Sequence, residues 1–417
     1  MVGEWRERPL GDLTDNFDGI RVPVKESDRR PGPYPYYGAS GVVDHIDSYL
    51  FDGEYLLIAE DGENLRTRNT PAAFLARGKF WVNNHAHIVR GNREADTRFL
   101  MYALSATDIS GYLTGSTMPK LTQGNMNRIP LLTPPLPEQR SIAHILGTLD
   151  DKIELNRRMN ETLEAMARAI FQSWFVDFDP VRANAGSRDT GPPREIANLF
   201  PDRFEDSQLG EIPAGWEAGC FGDLVQQLRD QENPLASPDA LFSHFGIPAF
   251  DDGQWPKTEP GESIKSLKSR VPPGVILLSK LNPEIERVWL VDVEPNDRAV
   301  CSTEFLVFRP RSPYGRSYAY CLARSPLFRQ QIEALVTGTS KSHQRAQVDT
   351  ILSLAVIRPP KPIADAFEQT ASSLLGRTLA CRRESRTLAA LRDALLPKLI
   401  SGELRLKDAA AFVDQPG

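Results

Sequence analysis

The chain has 417 residues, of which 41% are hydrophobic and 25% charged, and a formal net charge of −6. This length allows two or three domains with cores of their own, and the ordinary composition excludes a fibrous or disordered chain. No apolar run reaches the roughly 18 residues of a membrane span, and the charged start excludes a visible secretory signal. The four scattered cysteines, with no C-x-x-C pair, speak against a disulfide framework and fit a reducing cytoplasm.

Residues 1–136 read as a mixed α/β unit. Glu54-Tyr-Leu-Leu-Ile-Ala59 is a strand running into the turn Glu60-Asp61-Gly62. Phe80 to Val89 reads as a second strand and Thr97 to Ser105 as helix, while Pro31-Gly-Pro-Tyr-Pro-Tyr-Tyr37 reads as irregular. Residues 137–178 form a long helix with a heptad seam of Ile142, Leu146, Leu149, Ile153, Asn156, Asn160, Leu163, Ala167, Ile170 and Trp174. Residues 179–215 carry linker composition. Residues 216–358 repeat the first unit, with strands at Gly274–Ser279 and Cys301–Phe308 and helix from Ser317 to Leu335. Residues 359–405 repeat the helix, with Phe367, Ala371, Leu374, Thr378, Cys381, Ser385, Leu388, Arg392, Leu395 and Leu399 on its seam. Residues 406–417 read as a flexible tail.

The duplication shows in short echoes. Trp5…Gly11-Asp12-Leu13 returns as Trp216…Gly222-Asp223-Leu224, an offset of 211. Thr114-Gly115-Ser116-Thr117 returns as Thr337-Gly338-Thr339-Ser340, and Pro134-Pro135-Leu136-Pro137 as Pro359-Pro360-Lys361-Pro362, the latter at offset 225. Each echo alone is chance; their common order implies two similar surfaces on one polypeptide. Two such seams most simply bury each other as an intramolecular antiparallel coiled coil, with Leu163 and Leu388 at equivalent buried positions. The competing picture is two amphipathic helices packed separately on their own units. The expected fold class is α+β, with two similar domains separated by paired long helices.

No catalytic signature is found. None of the Pro-Pro pairs sits in the Asn/Asp-Pro-Pro-aromatic motif of an exocyclic-amine methyltransferase, and no G-x-x-x-x-G-K-[ST] phosphate loop is present. The acidic-x-Lys element of a metal-dependent nuclease occurs at Asp150-Asp151-Lys152, where exposed helix charge is the plainer account. His85 and His87, two apart on the expected strand, would face one side, yet no further Cys or His stands near to complete a metal site. Neither cofactor nor metal is expected.

Polar, cationic loops remain, at matching places in the two units. The candidate nucleic-acid contacts are Tyr37, Ser40, Arg66, Arg68, Asn84, His85, Ser116, Thr117 and Lys120 in the first. Lys280, Asn282, Thr339, Lys341, His343, Gln344 and Arg345 are their counterparts in the second. These residue types reach phosphates and base edges, though each serves equally well as ordinary solvated loop. Because the chain is acidic overall, such a site has to be a local patch, with modest intrinsic affinity unless partners add basic surface. The candidate subunit and coiled-coil contacts are Leu149, Ile153, Leu163, Ile170, Trp174, Leu374, Leu388 and Leu395.

Several stretches resemble the specificity subunits of type I restriction–modification systems. Pro134-Pro-Leu-Pro-Glu-Gln-Arg-Ser-Ile-Ala143, Leu149-Asp-Asp-Lys-Ile-Glu-Leu-Asn156 and Phe171-Gln-Ser-Trp-Phe-Val-Asp-Phe178 are similar to that family's central conserved region. Leu209-Gly-Glu-Ile-Pro-Ala-Gly-Trp216 resembles the entry to its second target-recognition domain. Tyr36-Tyr-Gly-Ala-Ser-Gly41, Phe51 to Gly62 and Ser302-Thr-Glu-Phe305 resemble its domain signatures. Pro362-Ile-Ala-Asp-Ala-Phe-Glu-Gln369 departs from the pattern, lacking the Pro-Glu-Gln core of the first copy. The resemblance implies a non-catalytic cytoplasmic subunit with two target-recognition domains, each reading half of a bipartite site on double-stranded DNA. It implies helices that set the spacing and dock two adenine-methylating modification subunits, with restriction/translocase subunits joining them. A non-catalytic coiled-coil adaptor joining two protein-binding heads, without DNA readout, is the alternative the residues leave open.

Overall fold

Apolar residues on both faces of a strand require cover on both sides, and the central strand of each half obtains it. The computed structural model describes residues 4–186, 192–335 and 344–405. The chain divides into two units, Met1–Asn156 with Glu384–Gly417, and Arg157–Arg383.

In the first unit Phe51–Ala59 lies within a six-stranded sheet ordered Thr14–Asn16, Ala86–Gly91, Phe51–Ala59, Ala73–Val82, Pro31–Gly38 and Gly41–Ile46. Alternation sends Leu56 and Ile58 to a core shared with the Thr97–Ala106 helix and with Leu146. It sends Leu57 to a second cluster with Phe51, Phe80, Val82 and Ile88. The second unit repeats the division: Ile276 and Leu278 enter one cluster, Leu277 the other. There the four-stranded sheet is ordered Val225–Leu228, Phe305–Pro310, Ile276–Ser279, Val288–Leu290. A five-stranded sheet around Leu241–Phe245 and Ala299–Cys301 is added.

The strands beside two of the echoes correspond in space, while the Thr337–Ser340 echo lies outside the described residues. Arg6–Pro9 pairs with Pro130–Thr133 in the first unit, and Glu217–Cys220 with Ala355–Arg358 in the second. Each closing ribbon hands the chain to a long helix, Leu136–Phe175 or Lys361–Ile400.

Several element boundaries differ from the sequence reading, for identifiable reasons. The single strand expected over Phe80–Val89 is two, because the Asn83 side-chain oxygen accepts the His85 N–H at 2.8 Å and closes a turn. Ser302 does the same to the second-unit strand, accepting from Glu304 N–H at 3.3 Å. The helix expected over Ser317–Leu335 breaks at Ser325-Pro326, where Ser325 caps a new helix, Pro326–Ala334. Pro31–Gly38, expected to be irregular over Pro31–Tyr37, is a strand whose register shifts between Pro31 and Tyr34, across Pro33, which has no N–H to give, and again between Tyr36 and Tyr37. Residues 179–215, read as linker, hold the Asp179–Ala185 helix and a hairpin of Phe204–Ser207 with Gly210–Pro213. Val181, Phe200 and Ile212 from this stretch are buried in the second unit's core. The expected tail lies outside the described residues.

The long helices pack together, antiparallel, within each unit. In the first, Glu138 meets Arg405, Asp150 meets Arg392 and Asn156 Nδ2 donates to Glu384 at 2.8 Å. In the second, Glu164 meets Arg382, and Phe171 and Trp174 pack on Phe367. None of the seam residues is exposed; Asn156, Thr378 and Cys381 are fully buried at its middle. Leu163 and Leu388, expected to be buried, are half-buried, as are Leu149, Ile153, Ile170, Leu374 and Leu395, whereas Trp174 is 5% exposed.

The helices that pack on the long helices are capped differently in the two units. Asp96 caps Thr97–Ala106 by accepting Phe99 N–H at 3.0 Å, and Gln139 of the first long helix accepts Asp96 N–H. The corresponding residue before Arg316–Ala323 is Gly315, which has no side chain. Glu368 of the second long helix supplies the missing acceptor, taking Ser317 N–H at 3.0 Å, the Ser317 hydroxyl at 2.9 Å and Tyr318 N–H at 3.1 Å. Any Cβ at residue 315 would strike Glu368. Glu368 thus contacts in the second unit the helix start that Gln139 contacts in the first, where the position at offset 225 from Gln139 is Ala364.

Candidate nucleic-acid interface

In both units the residue after the central strand is gripped by a later loop through the same backbone ladder. In the first, Glu60 N–H donates to His85 O, Leu121 N–H to Glu60 O, and Gly62 N–H to Pro119 O. In the second, Lys280 N–H donates to Glu304 O, Ala346 N–H to Lys280 O, and Asn282 N–H to Gln344 O. The isolated bridges Asp61–Lys120 and Leu281–Arg345 occupy the same rung. Glu60 therefore corresponds to Lys280, His85 to Glu304, and Lys120 to Arg345. Gly62 corresponds to Asn282, both with positive φ, +115° and +47°. Asn is among the side chains best tolerated there, so backbone geometry alone justifies Asn282.

The first clamp is an ionic network. Lys120 Nζ lies 3.2 Å from Glu60, which also receives Arg21 at 2.8 Å. His85 Nδ1 lies 2.8 Å from Asp61. Beneath them both ring nitrogens of buried His87 face acceptors, Asp18 Oδ2 at 2.6 Å and Leu121 O at 2.8 Å. Burial pulls the Asp18 carboxyl upward, but hydrogen bonds from His87 and the Ile88 N–H, with the His87 and Arg21 charges, hold it below the ordinary carboxylate value. Glu60 is lowered in the same way: burial opposes, and the Arg21 bond and the His87 charge prevail.

Arg66 ties the next short helix, Asn64–Thr67, to the loop by donating to Gly115 O and Ser116 O at 3.0 and 3.3 Å. Gly115 at φ +86° admits no side chain, since a Cβ would meet Met118 O at 2.2 Å. Ser116, Thr117 and Lys120 are exposed on this loop, and Asn84 and His85 on the adjoining turn. Arg68 leaves the group: it donates to Thr107 O at 2.8 Å and so closes the Thr97–Ala106 helix. Tyr37 is half-buried against Phe80 and Phe74, with its carbonyl accepting Asn83 N–H; Ser40 is exposed at the following hairpin tip. His85 sits in a turn and His87 in the strand, so they do not share a side, contrary to the alternation expected of one strand. Among the described residues no group of three or more His, Cys, Asp or Glu is placed to hold a metal ion.

In the second clamp Lys280 and Gln344 are half-buried and Arg345 is exposed. Glu304 receives Arg345 Nε at 3.0 Å and Nη2 at 2.8 Å, and this pairing raises the guanidinium pKa further. Thr339, Lys341 and His343 lie outside the described residues. Sequence reasoning missed Arg21, Glu60 and Glu304 as members of these sites. Their signal is position, directly after a strand or before its partner, and it becomes visible only once the ladder is known.

The family model described as "Type I restriction modification DNA specificity domain" matches residues 3–165. The HindI specificity subunit of Haemophilus influenzae is 25% identical over 97% of this chain and 100% of its own. The MjaIX specificity subunit of Methanocaldococcus jannaschii is 24% identical over 97% and 94%. A further H. influenzae protein of this description is 32% identical over 259 residues, spanning 58% of this chain and 66% of that protein. The solved S subunit of a type I restriction–modification system from M. genitalium superposes with a TM-score of 0.63 at 14% identity, covering 95% of this chain and 96% of its own. With two clamped units, paired long helices and these relatives, the chain belongs to the family of type I restriction–modification specificity subunits.

Proposed function

We propose that each unit reads one half of a bipartite double-stranded DNA site, and that the long helices set the gap and dock two adenine-methylating modification subunits. The observation that carries this reading is the repeated clamp, which presents polar and cationic side chains from the same backbone frame twice. The chain itself catalyses nothing; methylation and translocation belong to its partners. The domain boundaries that go with it are recognition at 1–136 and 216–358 and helices at 137–178 and 359–405. No described helix is long and apolar enough to cross a membrane, and cytoplasmic assembly on DNA suits the reduced cysteines. The adaptor alternative leaves two matching cation-bearing clamps without a purpose, and the family membership does not favour it.

The test is to delete one heptad from both long helices. This shortens each by ~10 Å, about three base pairs of DNA at ~3.4 Å each. Methylation-site mapping of the assembled complex is expected to find the same half-sites across a shorter gap. An unchanged gap would remove the helices from the role of spacer.

A further inference from the structure

The two clamps share a backbone but not a donor. In the second, Glu304 engages Arg345 side-on through Nε and Nη2. A guanidinium held in this way has its plane fixed, and no described residue hydrogen-bonds its end-on pair, Nη1 and the outer hydrogen of Nη2. That pair matches two acceptors side by side, as guanine O6 and N7 present them in the major groove. The carboxylate argues for a base over a phosphate: it nearly neutralises the guanidinium and would itself repel a phosphate, whereas a guanine edge is uncharged. The Arg345 side chain is 51% exposed and that of Glu304 21%, so the donor faces outward and its holder lies beneath.

We propose that Glu304 is the positioning residue that presents Arg345 to one guanine in the half-site read by the second unit. The equivalent rung of the first unit has no such device. It carries Lys120, a point charge without a planar fork, and His85 takes the place of Glu304. The inference rests on the reading of the second unit as a DNA reader and adds to it the base class and the residue that enforces it.

The test uses the complete complex with its modification subunits, measuring binding to single-base variants of both half-sites across a salt series. Glu304→Gln and Arg345→Lys are each expected to lower discrimination at one G·C pair of the second half-site by about tenfold or more, leaving the first half-site unchanged. Glu304→Gln is also expected to steepen the salt dependence by up to about one phosphate contact, because the released guanidinium can turn to the backbone. A merely structural role for Glu304 would weaken all sequences alike and leave the base preference intact, and that result overturns the proposal. Loss that is equal for all base variants in Arg345→Lys, which keeps charge and bulk should Glu304→Gln misfold, with the salt slope unchanged, identifies a phosphate contact and overturns it too. Absence of any sequence-selective binding by the wild-type complex would instead sink the DNA reading itself.

Discussion

At the clamp, the first unit has Glu60, His85 and Lys120 where the second has Lys280, Glu304 and Arg345. The first unit closes its charges into a half-buried network running from Asp18 through His87, Arg21 and Glu60 to Lys120. The second has Leu306 at the position of His87, since Leu278 faces it as Ile58 faces His87, and the Arg345–Glu304 pair lies at the surface. An inherited backbone ladder thus tolerates opposite placements of charge, because the ladder's hydrogen bonds are main-chain. Side chains on such a frame can diverge without unfolding it, which is what two different half-sites require of two copies of one fold.

The same divergence appears on the long helices, and it yields the largest expected effect. Phe367 is fully buried and packs on Phe171, Trp174, Phe175 and Tyr318, whereas its counterpart at offset 225, Ile142, is a smaller aliphatic side chain buried in the first unit's core. Phe367→Ala should cost the second unit ~3–5 kcal/mol, while Ile142→Val should cost the first about 1. Segment-resolved hydrogen exchange would show whether the loss stays in residues 157–383. Equal loss of protection in both units would mean that the helices unfold as one body.

The caps give a smaller contrast of the same kind. Glu368→Ala leaves two helix N–H groups and the Ser317 hydroxyl without their acceptor and should cost ~1–3 kcal/mol. Asp96→Ala removes a self-supplied cap and should cost about 1 kcal/mol. Denaturant midpoints at unchanged m-value would check both. If Glu368→Ala costs less than Asp96→Ala, the cap borrowed from the long helix does not hold the second unit together.

What the sequence made legible was periodicity and order. Two heptad stripes, two strand-into-turn signals and the Trp…Gly-Asp-Leu echo needed only hydrophobic spacing and count, and they carried the fold class. That the cationic loops match was legible, but the residue-by-residue clamp correspondence was hidden because Glu60 and Lys280 share nothing but a rung; loops of different length displace the partners to different offsets. Glu304 was quoted only as part of Ser302-Thr-Glu-Phe305, since its partner Arg345 is brought near by long-range pairing. Residues 179–215 looked like linker because the glycines and prolines of a helix–hairpin segment have the composition of a tether. Tyr37 and Arg68 were singled out by residue type, and type does not separate a packed ring or a helix-closing guanidinium from an exposed contact.

Acid should separate the two units. Asp18 has a lowered carboxyl pKa in the folded state, so its stabilisation is complete above the unfolded value of about 3.9 and disappears as pH falls through the folded value. Glu60 adds a term of the same sign. The first unit should therefore lose protection below about pH 4 more steeply than the second, whose clamp has no buried carboxylate–histidine pair among the described residues. Asp18→Asn should flatten that limb. A first-unit acid transition identical in wild type and Asp18→Asn would show that the network stores no folding free energy.

The smallest effect tests the polar centre of the helix pair. Asn160 lies on the seam of the first long helix with a buried side-chain oxygen that has no hydrogen-bond partner among the described residues. A buried acceptor left unsatisfied is a cost, and leucine is the residue the heptad would place there. Asn160→Leu should therefore leave stability unchanged or raise it by up to about 1 kcal/mol, measured as a midpoint shift at constant m-value. If the residue serves register and not stability, the stabilised variant would methylate sites with more than one gap length, because an apolar seam accepts shifted pairings that an amide excludes. A clear loss of stability would instead mean that the amide is satisfied in solution, by an ordered water or by a docked modification subunit. In that case adding the subunit to wild type should protect the 157–163 amides.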